Sequence, residues 1–189
     1  MAINKNRRPR PSVPIHTKRR RPKKKLTRPY TITQQPVVAS PLAGMATWVR
    51  LACKHSDGCL WNNGVWVVRD QRSRPGTVSN HARGLACDLS YRWQAQKNRG
   101  VKDGRKQSLA YIVKLLQNAD TLGIQLVIDY QLQRSWKCDR GTWQPLPSVD
   151  QGDWYHLEVA PKFAHDPEAT KQAFQAVFGV SPKAAPKPV

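Results

Sequence analysis

The sequence predicts an α+β fold: a small single domain with a central antiparallel sheet flanked by helices, preceded by a disordered or extended basic arm. Three observations predict it. Short β-branched or alternating runs recur between turn residues, as in "GVWVVRD" (64–70) and "WYHLEVA" (154–160). Two stretches, 108–123 and 166–179, space their apolar residues at helical intervals. The formal charge of +20 is concentrated at one end: residues 1–36 hold 12 Lys/Arg and no acid, leaving 20 basic against 12 acidic residues elsewhere.

Residues 1–36 also carry six of the 15 prolines, so the segment combines self-repulsion with little that could enter a core. It reads as an arm, the domain as 40–180, and "SPKAAPKPV" (181–189) as a short tail. Within the domain, Asn62-Asn63-Gly64 opens a first strand over 64–70, and "LACDLSYR" (85–92) is a second. A polar loop over 94–106 leads to a helix with Leu109, Ile112, Val113 and Leu116 on one side, ended by Gly123. "IQLVIDY" (124–130) follows as a strand. In 154–160, alternation places His156 and Glu158 on one face and Leu157 and Val159 on the other. Asp166 then caps a last helix with Pro167 in its first position; Ala173, Phe174, Val177 and Phe178 form its apolar side and Gly179 stops it.

No run approaches the roughly 20 apolar residues of a membrane span. The basic N-terminus lacks an apolar run before a cleavage site, and "VVASPLAGMA" (37–46) is too short and too late, so no secretory signal is expected. Cys53, Cys59, Cys87 and Cys138 fit reduced, partly buried thiols or a disulfide, with three pairings open. Cys53 and Cys59 flank the turn "KHSDG", which a disulfide would close. With His55 they match no common zinc module.

The chemistry lies in "SNHARGLACDLS" (79–90). A catalytic metal site takes about three protein ligands and leaves a position for water. His81 and Asp88 supply two; Gly84 lets the chain turn between them, and Ala86 keeps the strand face beside Asp88 small. "GDWYHLEV" (152–159) supplies a third, His156, and a carboxylate three residues earlier, Asp153. Alone, each of these residues has a structural use: a strand histidine bonds its neighbours, and a turn aspartate caps an amide.

Together, Ser79-x-His81-x-x-Gly84-x-Ala86-x-Asp88 resembles the S-x-H-x-x-G-x-A-x-D signature of the zinc D-alanyl-D-alanine carboxypeptidase and L-alanyl-D-glutamate endopeptidase family, and "DWYH" resembles that family's late acid-x-x-His element. The resemblance covers 60–160, with a looser likeness to actinobacterial members over 109–143. It implies that His81, Asp88 and His156 bind zinc and that Asp153 is general base and then acid, where many members have glutamate. It also implies an oxyanion-stabilising arginine upstream. Arg69, Arg72 and Arg74 are available, and Arg72 is preferred because Ser73 follows it. Ser79 is expected to contact substrate or fix its loop, and Glu158 to orient an imidazole or face solvent.

The expected substrate is therefore the peptidoglycan stem peptide, the expected cofactor zinc, and the expected origin a phage, with the enzyme carried on the virion tail rather than released as a free endolysin. "KRRRPKKK" (18–25) and the rest of the arm have three possible partners: nucleic acid, anionic wall polymers, or other tail proteins. Two other classes compete: a structural tail protein that keeps the fold without turnover, and a nucleic-acid-binding protein. The second lacks any nucleic-acid fold motif.

Overall fold

The computed structural model describes residues 27–32, 35–71 and 74–179. Six strands form one antiparallel sheet, in the spatial order β1 (Trp61–Gly64), β4 (Ala86–Ser90), β8 (Trp154–Val159), β5 (Ile124–Asp129), β6 (Arg134–Lys137) and β7 (Trp143–Pro145). β2 (Asp70–Gln71) and β3 (Arg74–Val78) pair as a separate small hairpin. The helices are α1 (Ala43–Lys54), α2 (Gly104–Gln117), α3 (Pro161–His165) and α4 (Pro167–Phe178). The expected α+β architecture, an antiparallel sheet with helices packed on it, is the one observed.

Central strand β8 organises the rest. Its Tyr155, Leu157 and Val159 enter a core shared with Trp48 of α1, Ile112 of α2 and Phe174 of α4. Burying each such side chain contributes roughly 1.5–3 kcal/mol. The strand's period of two then sends His156 and Glu158 to the opposite face, as the alternation predicts. Helix α4 also begins as expected: the Asp166 carboxylate accepts from the amides of Glu168 (2.8 Å) and Ala169 (3.0 Å), and Pro167 follows the cap.

Three local expectations are corrected. The run 64–70 is not a strand. β1 ends at Gly64, where its pairing with β4 is already irregular, and Val67 and Val68 lie exposed beyond it. Helix α2 starts at Gly104, inside the expected polar loop, and ends at Gln117, while Gly123 instead leads into β5. Its buried side is Gly104, Ser108, Tyr111, Ile112 and Leu115, with Val113 45% exposed. The cause is a close approach: a Cβ at Gly104 would lie 2.4 Å from the Tyr91 carbonyl oxygen, so the glycine side of the helix comes nearest the sheet.

The third correction concerns the arm. Residues 1–26 and the tail 181–189 lie outside the described residues, but the chain is already packed at Arg28. The Arg28 amide donates to the Cys138 carbonyl (3.1 Å), and its guanidinium engages Asp120 (2.6 Å) and the Ile124 carbonyl. Thr31 and Gln125 exchange two hydrogen bonds (2.7 and 2.6 Å), and Ile32 is fully buried in the core. The domain therefore begins at this strap, 28–32, not at 40. Averaging charge over 36 residues hid the change to "RPYTI" at its end. All four cysteines are free thiols, so the disulfide alternative is not realised. No helix among the described residues is long and apolar enough to cross a membrane.

Candidate metal centre

Strand register assembles most of the site. Across β4 and β8, Asp88 stands opposite His156, and Ala86 opposite Glu158. Directly paired residues hold their Cβ atoms about 4.5–5.5 Å apart, so these side chains meet without help from a loop. His81 comes from the turn before β4, closed by Ala82 N–H to Ser79 O, Gly84 N–H to His81 O and Leu85 N–H to Asn80 O, each 3.0 Å. Gly84 makes the turn possible: its φ is +70°, and a Cβ there would lie 2.7 Å from Leu42 Cγ.

The outcome is a triangle of donor atoms. His81 Nε2 lies 3.1 Å from His156 Nδ1, His156 Nδ1 lies 3.0 Å from Asp88 Oδ1, and His81 Nε2 lies 3.4 Å from Asp88 Oδ1. Bonds of about 2.0–2.1 Å in a tetrahedral site place neighbouring ligand atoms about 3.3 Å apart, so this triangle has the size of one tetrahedral face. His81 and His156 are buried, while the Asp88 side chain is 20% exposed, which opens the cluster to solvent on one side.

Hydrogen bonding on the outer ring nitrogens fixes both imidazoles for ligation. His81 Nδ1 faces the Val65 carbonyl oxygen (3.3 Å) and His156 Nε2 faces Glu158 Oε1 (3.2 Å). Both partners only accept, so both outer nitrogens carry hydrogen and donate. In the neutral rings the two remaining lone pairs then point at one another across 3.1 Å, next to a carboxylate. Such an arrangement requires a proton or a cation between them. This buried His–Asp–His group is fit to hold a metal ion.

Electrostatics agree. Burial works against a charged His156, but hydrogen bonds from the ring to Asp88 and Glu158 outweigh it and raise its pKa to about 9. Burial likewise opposes ionisation of Asp88 and Glu158, and the imidazoles beside them hold both below the ordinary carboxylate range. Glu158 also accepts from Asn80 Nδ2 (2.6 Å) and from the Tyr30 hydroxyl.

Of the residues expected from sequence, the structure brings His81, Asp88, His156 and Glu158 together, and of the two uses open to Glu158 it shows the one that orients an imidazole. Ser79 is buried and its hydroxyl accepts from the His81 amide (3.3 Å), a loop-fixing use. Asp153 precedes β8 but does not join the cluster; its Oδ2 accepts from Arg92 Nε. Arg72 lies outside the described residues. Arg69 donates to the Asp70 carbonyl, and Arg74 is exposed. Sequence reasoning missed Tyr30, Asn80, Arg92 and the Val65 carbonyl. Asn80 adjoins His81 and was open to notice, whereas Tyr30 stood inside what reads as an arm.

An α+β domain with a His–Asp–His group built from paired strands β4 and β8 and the turn before β4 is thus the class that fold and site define. No protein-family model, curated protein or solved structure matches the chain.

Proposed function

We propose that this chain is a zinc peptidase hydrolysing peptidoglycan stem peptides, as a D-alanyl-D-alanine carboxypeptidase or an L-alanyl-D-glutamate endopeptidase. The observation that carries the reading is the donor triangle, because its corners are the residues that the signature (His81, Asp88) and the late acid-x-x-His element (His156) single out. Two imidazoles and one carboxylate at tetrahedral spacing, with one side open, form a donor set that suits catalytic zinc. Zinc held there supplies Lewis acidity toward a peptide carbonyl and toward water.

The chain's own groups do the rest. Asp153 accepts the proton of the attacking water and returns it to the leaving amine. Arg92 engages Oδ2, which leaves Oδ1 to move the proton. An upstream arginine, Arg72 by resemblance, stabilises the oxyanion. The same reading makes the protein phage-encoded and tail-borne, with the basic arm as its tether in the particle. Mass spectrometry of purified particles tests that placement, and absence of the chain from them rejects it.

The enzymatic test is metal analysis of the purified protein joined to digestion of purified cell wall and defined stem peptides. His81→Ala and Asp153→Ala should each abolish hydrolysis while keeping the circular dichroism of the native protein. Undiminished hydrolysis by either variant removes the mechanism. One observation favours a second reading, a structural tail protein that keeps the fold without turnover: Asp153, the expected base, does not join the His–Asp–His group. Stoichiometric zinc with no cleavage of any stem peptide selects that alternative.

A further inference from the structure

We propose that Tyr30 is a positioning residue of the metal centre: from the strap that opens the domain, its hydroxyl anchors Glu158 and so holds the His156 ring in the tautomer and orientation that ligation requires. The inference rests on the metal-site reading above and extends it to a segment that no sequence signature includes.

Glu158 is the link. Its Oε2 accepts from Tyr30, while Oε1 accepts from Asn80 Nδ2 (2.6 Å) and His156 Nε2 (3.2 Å). Asn80 Nδ2 also reaches the Tyr30 oxygen (3.1 Å), which closes a ring of three side chains behind the imidazole. Donors from three distant parts of the chain, residues 30, 80 and 156, therefore determine where this carboxylate sits. A buried carboxylate that loses one donor turns toward the donors that remain. That change loosens its hold on His156 Nε2, and with it the direction of the Nδ1 lone pair.

The strap is built to deliver that hydroxyl. Arg28 fixes it on one side through Asp120 and the Cys138 carbonyl. The Thr31–Gln125 pair and the fully buried Ile32 fix it on the other. Lys137 Nζ lies 4.1 Å from the centroid of the Tyr30 ring and covers it. Tyr30 therefore has little freedom to swing away, and its hydroxyl meets Glu158 without an induced rearrangement.

The test compares the full-length protein with Tyr30→Phe, which deletes one oxygen, and Thr31→Val, which removes the side-chain half of the neighbouring Thr31–Gln125 pair but leaves the Tyr30 hydroxyl. Zinc affinity is read by competition with a chromophoric chelator, and ligand geometry by the visible d–d bands of the cobalt(II)-loaded protein. Losing a group that orients a metal-bound histidine typically weakens binding about 10–100-fold. That loss, with shifted cobalt bands, is expected for Tyr30→Phe, and near-native affinity for Thr31→Val. Native affinity and bands in Tyr30→Phe overturn the inference. Equal losses in both variants also overturn it, since strap docking in general would then be responsible. Failure of the unaltered protein to bind either metal instead removes the metal-site reading beneath it.

Discussion

Gly84→Ala tests how the turn that carries His81 is made. The residue has φ +70°, where an L side chain costs about 1–2 kcal/mol. The added methyl also meets Leu42 Cγ at 2.7 Å, Leu42 Cδ1 at 2.9 Å and Val38 Cγ2 at 3.1 Å. Overpacking of that kind costs about 1–3 kcal/mol, for a total of about 2–5 kcal/mol. In a chain of this size each kcal/mol moves the midpoint by about 2–4 °C, so Tm should fall by about 4–20 °C. Gly76→Ala supplies the control: its φ is +82°, but no atom lies within 4 Å of the added methyl. Only the backbone cost applies there, about 1–2 kcal/mol or about 2–8 °C. Thermal unfolding by circular dichroism reads both, and Leu42→Ala in the Gly84→Ala background should recover part of the difference. If Gly84→Ala costs no more than Gly76→Ala, the packing argument fails. Because the turn presents His81, zinc affinity should drop with Gly84→Ala and stay unchanged with Gly76→Ala.

Two further outcomes are expected. Asp129 is fully buried, and its Oδ2 accepts from Arg105 (2.8 Å) and lies 3.3 Å from Arg134. Asp129→Asn leaves the two guanidiniums without their shared carboxylate and should cost about 3–5 kcal/mol in urea unfolding; a loss under about 1 kcal/mol contradicts the buried pairing. Metal-free protein should show a pH dependence set by the cluster. His156 is raised from 6.5 to about 9, so its contribution is complete below about 6.5 and is lost as pH rises through 9. Asp88 is depressed from 3.8, so its contribution is present above that value and is lost as pH falls through its folded pKa. Denaturant midpoints at pH 5.5, 7.5 and 9.5 should therefore decline in that order, and saturating zinc should flatten the decline. A flat profile without metal refutes the assigned coupling.

What was legible in the sequence follows physical locality. β8 and α4 declare themselves because period-two alternation and an Asp-Pro start depend on neighbours a few residues away. The His–Asp–His group was legible through the signature and the late acid-x-x-His element, and Asp88 and His156 lie on strands whose pairing sets them opposite one another. Val67 and Val68 misled because β propensity describes a residue's fit to a pleated surface, and no neighbouring strand extends to cover them. The true buried side of α2 depends on Tyr91 making room at Gly104, a contact between elements that no local pattern encodes. Tyr30 was hidden for the opposite reason: a short docked strap, with Ile32 buried and Arg28 and Tyr30 half-buried, was averaged with a highly charged neighbour segment, and composition carries no information about where such an average breaks.

On the proposed metal-site reading, charge accounting favours a divalent ion. Without metal, one proton between the facing imidazole nitrogens stands against two carboxylates held ionised, Asp88 and Glu158, which leaves an excess of one negative charge. Adding a second proton to balance it would put a second imidazolium 3.1 Å from the first, and like charges at that range repel strongly in a low-dielectric site. A monovalent cation in place of the bridging proton leaves the excess where it was. A divalent ion held by His81, Asp88 and His156 in place of that proton would bring the set to neutrality. Glu158 thus has two uses: it orients His156 through Nε2, and it supplies the second negative charge that makes two positive charges the favoured load. Tyr30 and Asn80 allow that charge to remain buried, because they satisfy the carboxylate without adding a charge of their own.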